Sequence, residues 1–81
     1  MKISAEISLY PLDAEYNKKV MNFINQINSF EGIEFEYNHM STLLWGEYDD
    51  VMSCLNSSIK SSFEELKSSI VIKISNGCKV E

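Results

Sequence analysis

The chain has 81 residues, 44% of them hydrophobic and 11% aromatic, and a formal net charge of −5. That length suits one domain spanning residues 1–81, and the aromatic content speaks against a disordered chain. The acidic balance, without a basic stripe, argues against DNA or RNA as a partner, because neutralisation of phosphates by Lys and Arg dominates such binding.

The first residues, MKISAEISLY, alternate polar and apolar side chains and carry Glu6 early. A secretory signal needs a continuous apolar core, and a membrane span needs about 20 apolar residues, so neither is expected and the chain reads as cytoplasmic. Ile3, Ala5, Ile7 and Leu9 point to one side of this first strand, and Ser4, Glu6 and Ser8 to the other. Pro11 is expected to stop the strand, and Asp13 to cap a helix over about residues 14–29 with Val20, Phe23, Ile24 and Ile27 as its apolar stripe. Gly32 supplies the break after that helix.

Ile33, Phe35 and Tyr37 alternate with Glu34, Glu36 and Asn38, which predicts a second strand. A short connection around Asn38–Met40 leads to a third strand at about Ser41–Glu47. Asp49 is expected to cap a second helix whose stripe is Val51, Met52, Leu55, Ile59, Phe63 and Leu66. The serines of this helix mostly lie off that stripe, and burial of several large side chains outweighs their propensity cost of a few tenths of a kcal/mol each. Ile70, Ile72 and Ile74 then alternate with Val71, Lys73 and Ser75 in a fourth strand.

The order β-α-β-β-α-β predicts a ferredoxin-like α+β fold, a four-stranded antiparallel sheet with two helices on one face. The isoleucine side of strands one and four should meet the helices. The opposite face then displays Ser4, Glu6, Ser8, Val71 and Lys73, and Leu44 turned inward adds Leu43 and Trp45 to that open face. An open face holding these apolar side chains calls for something to cover it. A domain this small buries only about 60–65% of its unfolded surface, so self-association is a natural further source of stability. Cys54 and Cys78 lack metal-ligand spacing and read as free thiols, and no cofactor is implied. Gly-rich phosphate loops, nucleophile elbows and His-carboxylate clusters are missing from the sequence, so no catalysis is expected.

Three segments, KISAEISLYPL, HMSTLLWGEYDDVM and VIKIS, resemble in order the thiamine-binding YkoF-like (MTH1187-type) family of small proteins. The most specific piece is Met40-Ser41-Thr42 followed by Gly46-Glu47-Tyr48-Asp49 and Val51-Met52. Ser41 stands where the family commonly has glycine, and Trp45 where it commonly has an acid. The resemblance implies a ferredoxin-like fold, homodimers or homotetramers built through sheets, and binding of thiamine or its hydroxymethylpyrimidine part without catalysis.

Thiamine joins a flat aminopyrimidine to a cationic thiazolium. A site for it needs polar partners for the pyrimidine edge and an aromatic face or carboxylate for the cation. On that chemistry the candidate ligand-binding residues are Glu6, Ser8, Asn38, Thr42, Trp45 and Lys73. All but Ser8 also have an ordinary structural role open to them. Glu6 and Lys73 can form a cross-strand ion pair, and Trp45 can be oligomer core. Asn38 can be a turn residue, and Thr42 a plain strand residue. His39 reads as a solvated loop residue, and Glu34 and Glu36 as guards on an edge strand. The alternative to a binding protein is a structural or regulatory homo-oligomer whose open face serves self-association only.

Overall fold

The computed structural model describes residues 1–12, 16–38, 40–65 and 67–77. Its elements are β1 (Lys2–Pro11), α1 (Tyr16–Asn28), β2 (Ile33–Tyr37), β3 (Thr42–Glu47), α2 (Tyr48–Glu65) and β4 (Ser68–Ser75). The four strands form one sheet in the order β2-β3-β1-β4, and all neighbouring pairs are antiparallel. This is the ferredoxin-like α+β fold expected from the element order.

Strand alternation builds the core. Ile3, Ala5, Ile7 and Leu9 of β1 and Leu44 of β3 are buried on the helix side, against Phe23 and Ile27 of α1 and Val51, Cys54 and Leu55 of α2. Each large aliphatic side chain buried in this way contributes about 1.5–3 kcal/mol. Ile70 and Ile72 of the outer strand β4 pack against the same cluster.

The ends of the elements depart from expectation in instructive ways. β1 ends at Pro11, as expected, but Pro11 is itself paired, opposite Ser68, and the Leu12 N–H then donates to the Lys67 carbonyl at 3.0 Å. Asp13, the expected cap of α1, lies outside the described residues. Past α1, the Ser29 hydroxyl donates to the Gln26 carbonyl at 2.6 Å, and Gly32 turns the chain into β2 with a φ of 81°. Only glycine takes that left-handed conformation without strain.

β3 runs directly into α2. The first N–H of that helix, on Tyr48, donates to the Met1 carbonyl at 2.8 Å. Asp49 is therefore not the cap. With Asp50 it sits inside the first turn, where a negative charge suits the positive end of the helix dipole. Glu47 is held instead by the Met1 amine at 3.2 Å and by Lys2 Nζ at 3.5 Å. The amine beside it holds its carboxyl below the usual range.

The buried line of α2 also differs from the expected one. It runs through Val51, Cys54, Leu55, Ser58 and Ser62, with Met52 and Ile59 at its margins. Phe63 is 52% exposed, and Leu66 lies outside the described residues. The serines expected off the stripe are thus partly on it. The spacing 51, 55, 58, 62 keeps the same helical period as the aliphatic residues, so period alone does not say where large side chains give way to small ones. Small side chains on a buried line let a helix approach its neighbours closely. Gln26 of α1 reaches across and donates to the Ser57 carbonyl at 3.5 Å. Among the described residues, no helix is long and apolar enough to cross a membrane.

Candidate functional site

The face of the sheet away from the helices is ordered in cross-strand rows by the pairing register. One row reads Glu34, Trp45, Ser4 and Ser75 from β2 to β4. The next reads Glu36, Leu43, Glu6 and Lys73. Ser8 faces Val71 beyond it. These rows follow from strand alternation once the register is fixed, because neighbours on one face lie within side-chain reach.

In the second row Lys73 Nζ lies 3.7 Å from Glu6 Oε1, and the Ser41 hydroxyl donates to Glu6 Oε2 at 3.2 Å. In the first row the Trp45 indole N–H donates to Glu34 Oε2 at 3.0 Å. Asn38 organises the link between β2 and β3. Its side-chain oxygen accepts from the N–H groups of Met40 at 2.7 Å and Ser41 at 3.0 Å, while its own N–H donates to the Ser41 carbonyl at 3.0 Å. The Ser8 hydroxyl ties β1 to the same link, donating to the Met40 carbonyl at 3.4 Å.

Beside this link the open face dips into a hollow of about 380 Å³ lined by Glu6, Glu36, Tyr37, Asn38, Ser41 and Leu43. It combines two carboxylates, an amide, a serine hydroxyl, a tyrosine ring and an apolar leucine. Such a set can receive a flat molecule that carries a positive charge or an amino edge. Of the residues singled out from sequence, Glu6 and Asn38 line it. Ser8 and Lys73 stand next to it, each bonded to one of its members or to the link above it.

Trp45 is on the same face but in the adjacent row, with its N–H engaged by Glu34. Thr42 alternates to the other side of β3 and is only 5% exposed. It borders a helix-side cavity of about 30 Å³, shared with Ile7, Leu9, Val20, Phe23 and Ile24. That volume is about one water's share of the liquid, too little for a ring. His39 lies outside the described residues.

Glu36, Tyr37, Ser41 and Leu43 join the hollow without having been chosen from sequence as ligand residues. The signal for Glu36 was present in the alternation: a tight β2–β3 hairpin puts the glutamates of β2 on the face that holds Leu43 and Trp45. Among the described residues, no group of three or more His, Cys, Asp or Glu is placed to hold a metal ion. Cys54 is buried, and burial pushes its thiol up, away from the reactive thiolate.

Several solved structures share the fold. Protein SP2199 from Streptococcus pneumoniae superposes with a TM-score of 0.86 at 22% identity, over 99% of this chain and 91% of that one. MJ1052 from Methanocaldococcus jannaschii gives 0.81 at 24% identity, over 99% and 84%. TM0486 from Thermotoga maritima, provisionally described as a thiamine biosynthesis/salvage protein, gives 0.80 at 17% identity, over 93% and 83%. No curated protein is significantly similar to the chain in sequence. The profile of the YKOF-related Family matches residues 2–79, nearly the whole chain, and the protein therefore belongs to that family.

Proposed function

We propose that this protein binds thiamine or its hydroxymethylpyrimidine moiety, without catalysis, in transport, storage or sensing. The observation that carries the reading is the hollow in which Glu6 and Glu36 flank Leu43. A carboxylate there can accept from the amino group of the pyrimidine or balance the thiazolium, and the leucine can lie against a ring. Family membership and the salvage role provisionally assigned to the Thermotoga relative support the choice of ligand. A second reading, a homo-oligomeric module without a ligand, draws on a different observation. Leu43 and Trp45 are only half-buried on the open face, and Val71 is 60% exposed there.

Titration calorimetry with thiamine and with the bare pyrimidine separates the two. On the first reading at least one of them binds, and Glu6→Gln weakens binding by about 1.5–3 kcal/mol, the worth of a hydrogen bond to a charged group. At 100 times the dissociation constant the ligand should also stabilise the fold by about 2.7 kcal/mol. A parent protein that binds neither compound at millimolar concentration leaves the second reading. Equal binding by parent and variant would keep the ligand and remove Glu6 from its recognition.

A further inference from the structure

Lys73 sits directly opposite Glu6 across the β1–β4 pair, with its ammonium 3.7 Å from Oε1. It is not part of the wall of the hollow, whereas Glu6 is. Glu6 therefore meets two surroundings. On one side lies the hollow, with Ser41 donating to Oε2, and on the other a tethered cation already balances the charge. The Lys73 side chain is 82% exposed and that of Glu6 46% exposed, so the ammonium can return to water with little loss. Exposed pairs of this kind add little to stability, because water screens both charges.

We propose that Lys73 is a built-in competitor for the carboxylate of Glu6 and sets the selectivity of the hollow between charged and neutral ligands. This inference rests on the reading of the hollow as a thiamine or pyrimidine site. A cationic ligand that reaches Glu6 must replace the lysine or share the carboxylate with it, and like charges so close repel. A neutral aminopyrimidine needs only one acceptor lone pair and leaves the Glu6–Lys73 pair in place. The lysine thus lowers the advantage that a site with two carboxylates would otherwise give to any cation.

The test is calorimetry of the parent, Lys73→Gln and Lys73→Arg with two probes, thiamine as the cation and hydroxymethylpyrimidine as the neutral compound. Lys73→Gln should bind thiamine about two- to fivefold more tightly, the equivalent of losing an ion pair of up to about 1 kcal/mol. Its affinity for the pyrimidine should stay the same, Lys73→Arg should behave as the parent, and the gain for thiamine should shrink as salt is raised. Thermal unfolding of each variant confirms the fold, which so exposed a position should leave intact. Unchanged thiamine affinity in Lys73→Gln overturns the competitor role while leaving the thiamine reading standing. Weaker binding of both probes would make Lys73 a positioning residue for Glu6, which also overturns it. Failure of the parent to bind either probe removes the thiamine reading, and this inference falls with it.

Discussion

Ser62 lies on the buried line of α2, 5% exposed, and its hydroxyl oxygen has no hydrogen-bond partner among the described residues. A buried polar group left unsatisfied costs on the order of 1–3 kcal/mol, and serine is a poorer helix former than alanine by about 0.5 kcal/mol. The alanine variant loses the hydroxyl and keeps the small volume, so Ser62→Ala should raise stability by about 1 kcal/mol. In a domain of this size that is about 4–8 °C in melting temperature. A lower denaturation midpoint for the variant would show that the hydroxyl is engaged in solution and that its burial is not a cost. At this scale the sequence carries part of the site. The Glu6–Lys73 pair is legible because both fall on the polar side of strands that neighbour each other in this fold. Glu36 is harder to read, since a glutamate on an edge strand has a sufficient explanation in guarding the edge, and only the β2–β3 register puts it in the row of Glu6.

The elements themselves are legible because strands with one buried face must alternate. Ile3-Ala5-Ile7-Leu9 and Ile70-Ile72 specify their inward sides with no other information. What the pattern leaves open is how closely two elements approach. The buried serines of α2 show this, and so does Gly46 in β3. It pairs with Ile3 on one side and Ile33 on the other, and a Cβ built there would lie 2.7 Å from the Gly32 carbonyl oxygen. That oxygen belongs to the backbone of the turn entering β2, so it cannot swing aside as a flexible side chain would. Gly46→Ala should therefore destabilise the fold by about 1–3 kcal/mol, the range for forcing extra volume into a packed site. The start of β2 would have to move, so ligand affinity should fall as well, through Glu36. Gly77→Ala is the control, because among the described residues its added Cβ would meet just the Ser75 hydroxyl, at 3.3 Å. Equal denaturation midpoints for the two variants would show that the turn yields and that the close approach is not a constraint.

For the molecule as a whole, the distribution of covered and uncovered surface sets the last expectation. Both helices lie on one face of the sheet, and the other face holds Trp45 and Leu43 within its charged rows and Val71 beyond them. The hollow beside Leu43 is open to that same side, whereas small-molecule sites commonly enclose 70–90% or more of a drug-sized ligand. A second copy of the chain over this face would bury the apolar side chains and roof the hollow, with about 800 Å² from each partner as the usual scale of a stable interface. Light scattering at tens of micromolar should then give a multiple of the 9.3 kDa chain mass. Trp45, the single tryptophan, should report the assembly through emission that shifts to the blue as concentration rises. Val71→Lys is the informative variant: Val71 is 60% exposed in the single chain and does not line the hollow, so the substitution should spare the fold. In the assembly it would place a charge in an apolar contact and weaken association by about tenfold or more, since a buried charge without a partner costs well over the roughly 1.4 kcal/mol of one decade. If thiamine affinity falls with the mass, the partner copy completes the site. If the mass falls and affinity holds, one chain carries the whole site and the face serves self-association alone. A parent of monomer mass throughout would mean that the open face is tolerated in water, and that whatever covers it is not a second copy of this chain.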